Sequence, residues 1–169
     1  KYKAQAISNE QKPPIGELTI SIADLATLKT EVEIILQRQA VSTNKIQKLL
    51  ESKPISDWVE TGKSLHEGKV DCEFCGNRLP MDLLAKLNEH FSKDYDQLKT
   101  DIEEKLTTLT ASKINLTNPL PTETAFYTDL LPDFKTKKPL LEIEITNFNN
   151  SIASLIKDLE SKRDKPFDK

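Results

Sequence analysis

Apolar side chains recur at three- and four-residue steps along most of the chain, which is the spacing of one face of an α-helix. In the first half this pattern starts near Ser21 or Asp24, either of which could cap a helix, and it breaks at residues 42–44. It predicts an N-terminal helical arm over residues 21–66, after a tail or extended lead-in at 1–20. The apolar positions of the arm are Leu25, Leu28, Val32, Ile35, Leu36, Ile46, Leu49, Leu50, Trp58, Val59 and Leu65.

The second half predicts two longer helices. No proline or glycine interrupts residues 81–111, so we expect one helix there, about 45 Å long. Residues 112–139 contain four prolines and predict a connection with one helical turn near Glu123–Leu130. A heptad helix is predicted over 140–163, followed by a tail at 164–169. The apolar seam of the first helix is Leu84, Leu87, Phe91, Tyr95, Leu98, Ile102, Leu106 and Leu109, and that of the second is Leu141, Ile145, Phe148, Ile152, Leu155 and Leu159.

These elements predict an all-α fold of long antiparallel helices, either a coiled coil or an elongated bundle, because a proline-rich turn most simply joins antiparallel neighbours. Composition agrees with this fold. Charged residues make up 30% of the chain and aromatic residues 6%, and there are only 4 glycines, which suits amphipathic helices and not an all-β fold.

Charge and hydropathy exclude several classes of protein. The formal net charge of −3 gives no general attraction to nucleic acid or to an anionic membrane. No apolar run approaches the roughly 18–20 residues needed to span a bilayer, and no signal-peptide pattern opens the chain. We therefore expect a cytoplasmic protein without a membrane partner. The sequence begins at Lys1 without a methionine, which fits a piece of a longer protein.

The candidate chemistry lies in a non-periodic loop at residues 67–80, which contains Cys72 and Cys75 followed by Gly76. Two thiolates two residues apart can bind one metal ion through a tight turn, and the glycine permits the positive φ of that turn. Structural zinc takes four ligands, whereas this chain supplies two cysteines. A second copy of the loop could complete the site, so we expect a homodimer that shares one zinc ion across a two-fold axis and pairs its helical seams.

Other interpretations of the same residues stay open. Cys72 and Cys75 could be buried thiols, a thioredoxin-like redox pair or a structural disulfide, although the chain lacks the βαβ context of the second and the secretory features of the third. His66 lies six residues before Cys72 and is a candidate third ligand, or an exposed histidine at a helix end. His90 is expected to be a surface or packing residue.

No catalytic constellation is evident in this chain, and none is expected. The segment 62–64, Gly-Lys-Ser, has the form of the end of a phosphate-binding loop, but Asp57 stands where the first glycine of that loop should be. The many carboxylates fall on the outer faces of predicted helices, with lysines between them.

Residues 55–100 contain a set of residues at characteristic spacings: Trp58-Val59-Glu60-Thr61-Gly62, Leu65-His66, Cys72-Glu73-Phe74-Cys75-Gly76, Leu79, Leu83, Phe91 and Tyr95. This segment resembles the coiled-coil region of large AAA-type (AAA_13) ATPases related to the PrrC and RloC anticodon nucleases.

The resemblance implies a bacterial ATPase whose ATP-binding head lies outside this chain and whose long arms end in a zinc hook, like that of SMC-like double-strand-break repair ATPases. Cys72 and Cys75 correspond to the hook ligands. Two features depart from the family: Glu73 replaces the usual proline between the cysteines, and a further long helix, 140–163, follows the descending arm.

Three functions follow as hypotheses. The first is a non-catalytic zinc-hook-like interaction module that pairs two copies of a larger ATPase in a defence or nucleic-acid-processing machine. The second is a fragment of an anticodon-nuclease-type enzyme that contacts RNA or DNA through Lys63, Lys69 and Arg78. The third is a thiol redox sensor in which Cys72 and Cys75 form a reversible disulfide.

Overall fold

The computed structural model describes residues 12–116 and 119–168, and these residues form six α-helices. The same residues also contain one isolated antiparallel β-bridge, between Asp71 and Arg78, and a 3₁₀ turn at Glu123–Ala125. The all-α prediction is confirmed. The helices are α1 (Leu25–Gln37), α2 (Gln47–Glu51), α3 (Lys53–Leu65), α4 (Leu83–His90), α5 (Lys93–Ala111) and α6 (Leu131–Asp164).

Helices α1, α5 and α6 pack against one another, and α5 runs antiparallel to both α1 and α6. On one side the Lys105 ammonium contacts the Glu31 carboxylate at 2.9 Å, and Arg38 pairs with Asp101. On the other side Arg163 contacts Glu103 at 3.2 Å, and the Asn149 side chain contacts the backbone of Ile114, just after α5, at 2.9 Å. In these pairs, higher residue numbers on α1 and α6 correspond to lower residue numbers on α5. The predicted antiparallel arrangement of long helices is therefore present.

The core is the seam between these three helices. The buried positions of α5 follow one another at steps of three or four residues, as the sequence pattern requires. Ile102 and Leu109 are completely buried there, as are Ile152 and Leu159 on α6. The core-facing residues are Leu28, Val32 and Ile35 on α1, Tyr95, Leu98, Ile102, Leu106 and Leu109 on α5, and Ile152 and Leu159 on α6.

The single helix predicted over 81–111 is wrong, because the chain forms α4 and α5 with a break between them. Phe91 ends α4, and Ser92 adopts extended backbone angles. The Ser92 hydroxyl accepts the Tyr95 N–H at 3.2 Å and donates to the Val41 carbonyl at 2.5 Å. Ser92 therefore caps the first turn of α5 and also binds the loop before α2, and inside an unbroken helix it could do neither.

The proline-rich connection is shorter than predicted, since α6 begins at Leu131 and not near residue 140. Pro132 lies in its first turn, where a missing N–H costs nothing, and Pro139 lies inside the helix. Tertiary contacts hold this first part of α6 to the 3₁₀ turn. The Phe126 and Phe134 rings stack at 4.1 Å, and Lys135 contacts Glu123 at 2.9 Å.

The two predicted tails differ in outcome. Of the lead-in at 1–20, residues 1–11 lie outside the described residues, and 12–20 contain no helix. The segment 164–169 was predicted to be a tail, and its described part folds back onto the bundle. The Pro166 carbonyl accepts the Ala40 N–H at 2.9 Å, and the Phe167 ring stacks on Tyr95.

Candidate metal centre at the cysteine knuckle

The two cysteines lie on a tight hairpin, residues 70–79, which we call the knuckle. The Leu79 N–H donates to the Val70 carbonyl at 2.8 Å, and the Cys72 N–H donates to the Asn77 carbonyl at 2.7 Å. The Gly76 N–H returns to the Cys72 carbonyl at 2.7 Å. Gly76 has a φ of 69°, a conformation that a side chain disfavours. The predicted role of this glycine in closing the turn is confirmed by its backbone.

Both cysteines are free thiols; Cys72 is half-buried and Cys75 is exposed. Hydrogen bonds from the backbone amides of Cys75 and Phe74 to the Cys72 sulfur, followed by the side chains of His66 and Cys75, lower the pKa of Cys72 to about 7. Amide hydrogens aimed at a sulfur stabilise the thiolate, which is the form that binds a metal ion or acts as a nucleophile. The surroundings of Cys72 therefore favour its thiolate form.

His66 connects α3 to the knuckle. Its Nδ1 atom lies 2.6 Å from the Gly62 carbonyl, and its Nε2 atom accepts the Glu73 N–H at 3.0 Å. The Gly62 carbonyl, and then the Cys72 side chain, raise the pKa of His66. The Glu73 amide opposes that protonation, because it needs a lone pair on Nε2.

The role of His66 as a third metal ligand stays a prediction. Both of its ring nitrogens contact backbone atoms here, so coordination through Nε2 would require the Glu73 amide to find another acceptor. The geometry equally suits a residue that orients the knuckle without touching the metal.

The donors present fit half of a zinc site. Among the described residues, no group of three or more histidine, cysteine and carboxylate side chains is placed to hold a metal ion. Two thiolates on a turn that already stabilises sulfur are suitable zinc ligands, and tetrahedral zinc would need two more from elsewhere. The assignment of Cys72 and Cys75 as ligands stays a prediction.

The segment Gly62-Lys63-Ser64 does not form a phosphate loop. It lies in the last turns of α3, and the Gly62 carbonyl accepts the backbone N–H of His66 at 3.2 Å. A phosphate loop needs free amides between a strand and the start of a helix, whereas these residues end one. ATP therefore does not fit this segment.

The basic residues around the knuckle are partly engaged by their own chain. Lys69 pairs with Glu73, and the Lys63 ammonium lies 5.8 Å from the centre of the Phe91 ring. The backbone of Arg78 lies opposite that of Asp71 in the β-bridge, a pairing that does not involve the guanidinium group. Nucleic-acid contact through Lys63, Lys69 and Arg78 stays a prediction that no contact here favours.

His90 is a buried core residue, so of the two predicted roles, surface or packing, it has the packing one. Its ring is fully buried between Phe91 and Phe167, and its Nδ1 atom accepts the Ile46 N–H at 3.1 Å. Its Nε2 atom has no hydrogen-bond partner. Little in the sequence indicated that His90 is buried, because His90 does not belong to the apolar seam, whereas its neighbour Phe91 does.

The described residues thus form an elongated antiparallel helical bundle that carries a two-cysteine knuckle. The Gly-Lys-Ser segment of this bundle is not suited to bind ATP. The chain belongs to the AAA_13 family, described as an AAA domain, whose family model matches residues 1–169. It is thus part of an AAA_13-type ATPase, and the family implies ATP binding by the parent protein. No curated protein and no solved structure matches the chain. Within the described residues, every helix is too short or too polar to cross a bilayer.

Proposed function

We propose that this chain is a non-catalytic, zinc-hook-like pairing module of a larger AAA_13 ATPase, similar to those related to the PrrC and RloC nucleases. Two copies share one zinc ion, and each contributes Cys72 and Cys75. The observation that carries this proposal is the Cys72 sulfur, which receives the amides of Phe74 and Cys75 on an exposed turn.

The incompleteness of the site is what calls for a partner. A structural zinc ion binds four ligands, and the knuckle brings two thiols together at an accessible position. The binding free energy of structural zinc is on the order of 10 kcal/mol in small peptides. A shared ion could therefore decide dimerisation even where the protein contact is small.

The bundle gives the knuckle a stiff support. Helix α5 has 19 residues and α6 has 34, which correspond to about 28 Å and 51 Å of helix. Pairing two knuckles would set the spacing of two parent ATPases in a defence or nucleic-acid-processing machine. The helical seams of α5 and α6 are filled within one chain, so the knuckle is the better candidate for the contact between copies.

The test measures bound zinc and molecular mass on the same sample, for the native chain and for Cys72→Ser and Cys75→Ser. We expect one zinc ion per two native chains and a zinc-dependent dimer, with neither in the variants. A native chain that stays monomeric and free of metal after incubation with zinc would contradict the proposal. Far-ultraviolet circular dichroism of the variants checks that the bundle is intact.

The lowered pKa of Cys72 also favours a second candidate, a thiol redox sensor. Cys75 is exposed three residues away, so hydrogen peroxide could oxidise both thiols to a disulfide: the S–S bond forms, the O–O bond breaks, and the two protons and two electrons of the thiols reduce the peroxide to two water molecules. Counting thiols with and without hydrogen peroxide, in the presence of a chelator, separates the two functions. Rapid, reversible loss of both thiols supports the sensor, and slow or irreversible loss contradicts it.

A further inference from the structure

Four large apolar side chains around the knuckle are turned to solvent, and we call them the knuckle collar: Leu65, Val70, Phe74 and Met81. Their exposed fractions are 64%, 59%, 87% and 97%, respectively. Leu65 ends α3, Met81 precedes α4, and the other two belong to the hairpin itself. Large apolar side chains that are exposed within one short segment of the chain, residues 65–81, indicate a contact surface.

We propose that the knuckle collar is the protein contact between two copies of this chain, packed around the metal that they share. This inference rests on the proposed function, since it takes the second copy as the occupant. It adds that the two copies recognise each other through apolar side chains, and that zinc is one part of the interface.

The geometry of a shared metal brings the two collars together. Zinc–sulfur bonds are about 2.3 Å long, so four sulfurs around one ion lie about 3.8 Å apart. Phe74 stands between Cys72 and Cys75 in the chain, and Val70 shares the face of Cys72, because side chains alternate outward from the Asp71–Arg78 bridge. Two knuckles that share an ion would therefore bring these apolar side chains close to the knuckle of the other copy.

The charge of the region favours a second copy over other occupants. Residues 62–86 contain four basic and four acidic residues, so the net charge is zero. Two of these pairs, Lys69 with Glu73 and Lys86 with Asp82, are already closed within the chain. Two neutral surfaces approach without repulsion, whereas nucleic acid and anionic membranes attract a positive one.

A protein contact would supply what a metal ion lacks. Thiolate–zinc bonds are available to any exposed cysteine pair, so the ion by itself does not select between copies of this chain and unrelated knuckles. Apolar anchors at the centre of an interface commonly carry most of its selectivity and slow its dissociation. Phe74 and Met81, as the two most exposed members, are the expected anchors.

The experiment measures the dimer dissociation constant of the full chain by sedimentation, with zinc and with excess chelator. The test variant is Phe74→Ser with Met81→Ser. The matched control is Leu140→Ser with Ile143→Ser, two positions on α6 that are 57% and 53% exposed.

With zinc present, we expect the test variant to dimerise at least about tenfold more weakly than the native chain, while each dimer still contains one zinc ion. The control should dimerise as the native chain does. Circular dichroism must show equal helix content in all three proteins.

The outcomes separate this inference from the proposed function. If the test variant dimerises with native affinity, the collar is overturned and the zinc bridge stands. If native dimers persist in chelator and disappear in the test variant, the collar is supported and the zinc bridge is overturned. A native chain that is monomeric under both conditions overturns both.

Discussion

The His66 ring accepts the backbone N–H of Glu73 through its Nε2 atom at 3.0 Å, across a separation of seven residues. Its other nitrogen, Nδ1, lies 2.6 Å from the Gly62 carbonyl, four residues earlier. One side chain thus fixes the residue between the two cysteines relative to the end of α3. Because Glu73 directly follows Cys72, the orientation of that thiol depends on a helix outside the knuckle.

Replacement of His66 separates an orienting role from a ligand role. In His66→Gln, the amide oxygen can take the place of Nε2 as the acceptor of the Glu73 N–H, but glutamine is a poor zinc ligand. If His66 orients the knuckle, His66→Gln should keep near-native zinc affinity, and His66→Ala should weaken it by about 10- to 100-fold. The affinities are measured by competition with a chromogenic chelator.

Equal losses of zinc affinity in His66→Gln and His66→Ala would contradict the orienting role and would favour coordination by the imidazole. The pKa of the Cys72 thiol gives an independent reading in a Cys75→Ser background. It should rise in His66→Ala, because the imidazole contributes to holding it near 7. The rate of alkylation by iodoacetamide as a function of pH reports this value.

Replacement by alanine should disfavour the native turn at Gly76 in the knuckle and stabilise the helix at Gly62 in α3. At Gly76 a Cβ would meet no atom within 4 Å, so the cost is the positive φ alone, about 1–2 kcal/mol. We expect Gly76→Ala to weaken zinc binding by about tenfold or more. Gly62 has the same free space but lies in α3, so Gly62→Ala should raise the free energy of unfolding by up to about 1 kcal/mol.

Chelator competition and urea unfolding on both glycine variants give these two numbers. Native zinc affinity in Gly76→Ala would show that the turn can close without a left-handed residue.

The parts of the fold that follow from local periodicity were accessible from the sequence. The buried face of α5 and the seam of α6 each repeat at helical spacing, and Ile102 and Ile152 lie where that pattern requires. The break at Ser92 depends instead on the Val41 carbonyl, which is distant in sequence. A serine followed by Asp94 and Asp96 is nonetheless an N-cap signal, and it could have indicated the boundary.

Other elements were hidden because tertiary contacts override local preference. Prolines normally end helices, but α6 continues through Pro139, and its first turns pack on the 3₁₀ turn through the stacking of Phe126 on Phe134 and the ion pair of Lys135. At the candidate site, the cysteine spacing was visible in the sequence. The contact of His66 with Glu73 was not, because no sequence rule specifies which way a histidine at a helix end points.

Asn149 illustrates a stabilising residue that the heptad pattern gave no reason to notice. Its side-chain amide donates to the Ile114 carbonyl and accepts the Ile114 N–H, both at 2.9 Å. Ile114 is buried just after α5, so its backbone groups have no easy access to water. We expect Asn149→Ala to lower the free energy of unfolding by about 1–3 kcal/mol.

Urea unfolding at neutral pH measures this change, and Asn150→Ala, an exposed neighbour on α6, is the control and should change stability by less than about 0.5 kcal/mol. If Asn149→Ala matched its control, the bidentate contact with Ile114 would not stabilise the fold.

The buried ring of His90 predicts a loss of stability on mild acidification. Burial lowers the pKa of His90, and the nearby Lys45 charge acts in the same direction, whereas a contact with the Asn44 backbone opposes them. Well above pH 6.5 the ring is neutral in both the folded and the unfolded state, so it adds no pH dependence there. As the pH falls below that value, the His90 ring binds a proton in the unfolded chain more readily than in the folded chain. The free energy of unfolding therefore falls. Between pH 6.5 and 5.5 the free energy of unfolding should fall, by at most about 1 kcal/mol if the folded ring takes up no proton in this range.

The measurement compares urea unfolding at these two pH values, with chelator, in a His66→Gln background. That background is needed because the raised pKa of His66 stabilises the folded state at low pH and would mask the effect. His90→Asn is the matched variant, since its side-chain oxygen can still accept the Ile46 N–H but cannot titrate in this range. It should be less stable overall, and its stability should change by much less between the two pH values. A protein that keeps His90 and shows no such loss would mean that the folded state admits the proton, and hence that the loop around Ile46 opens to receive it.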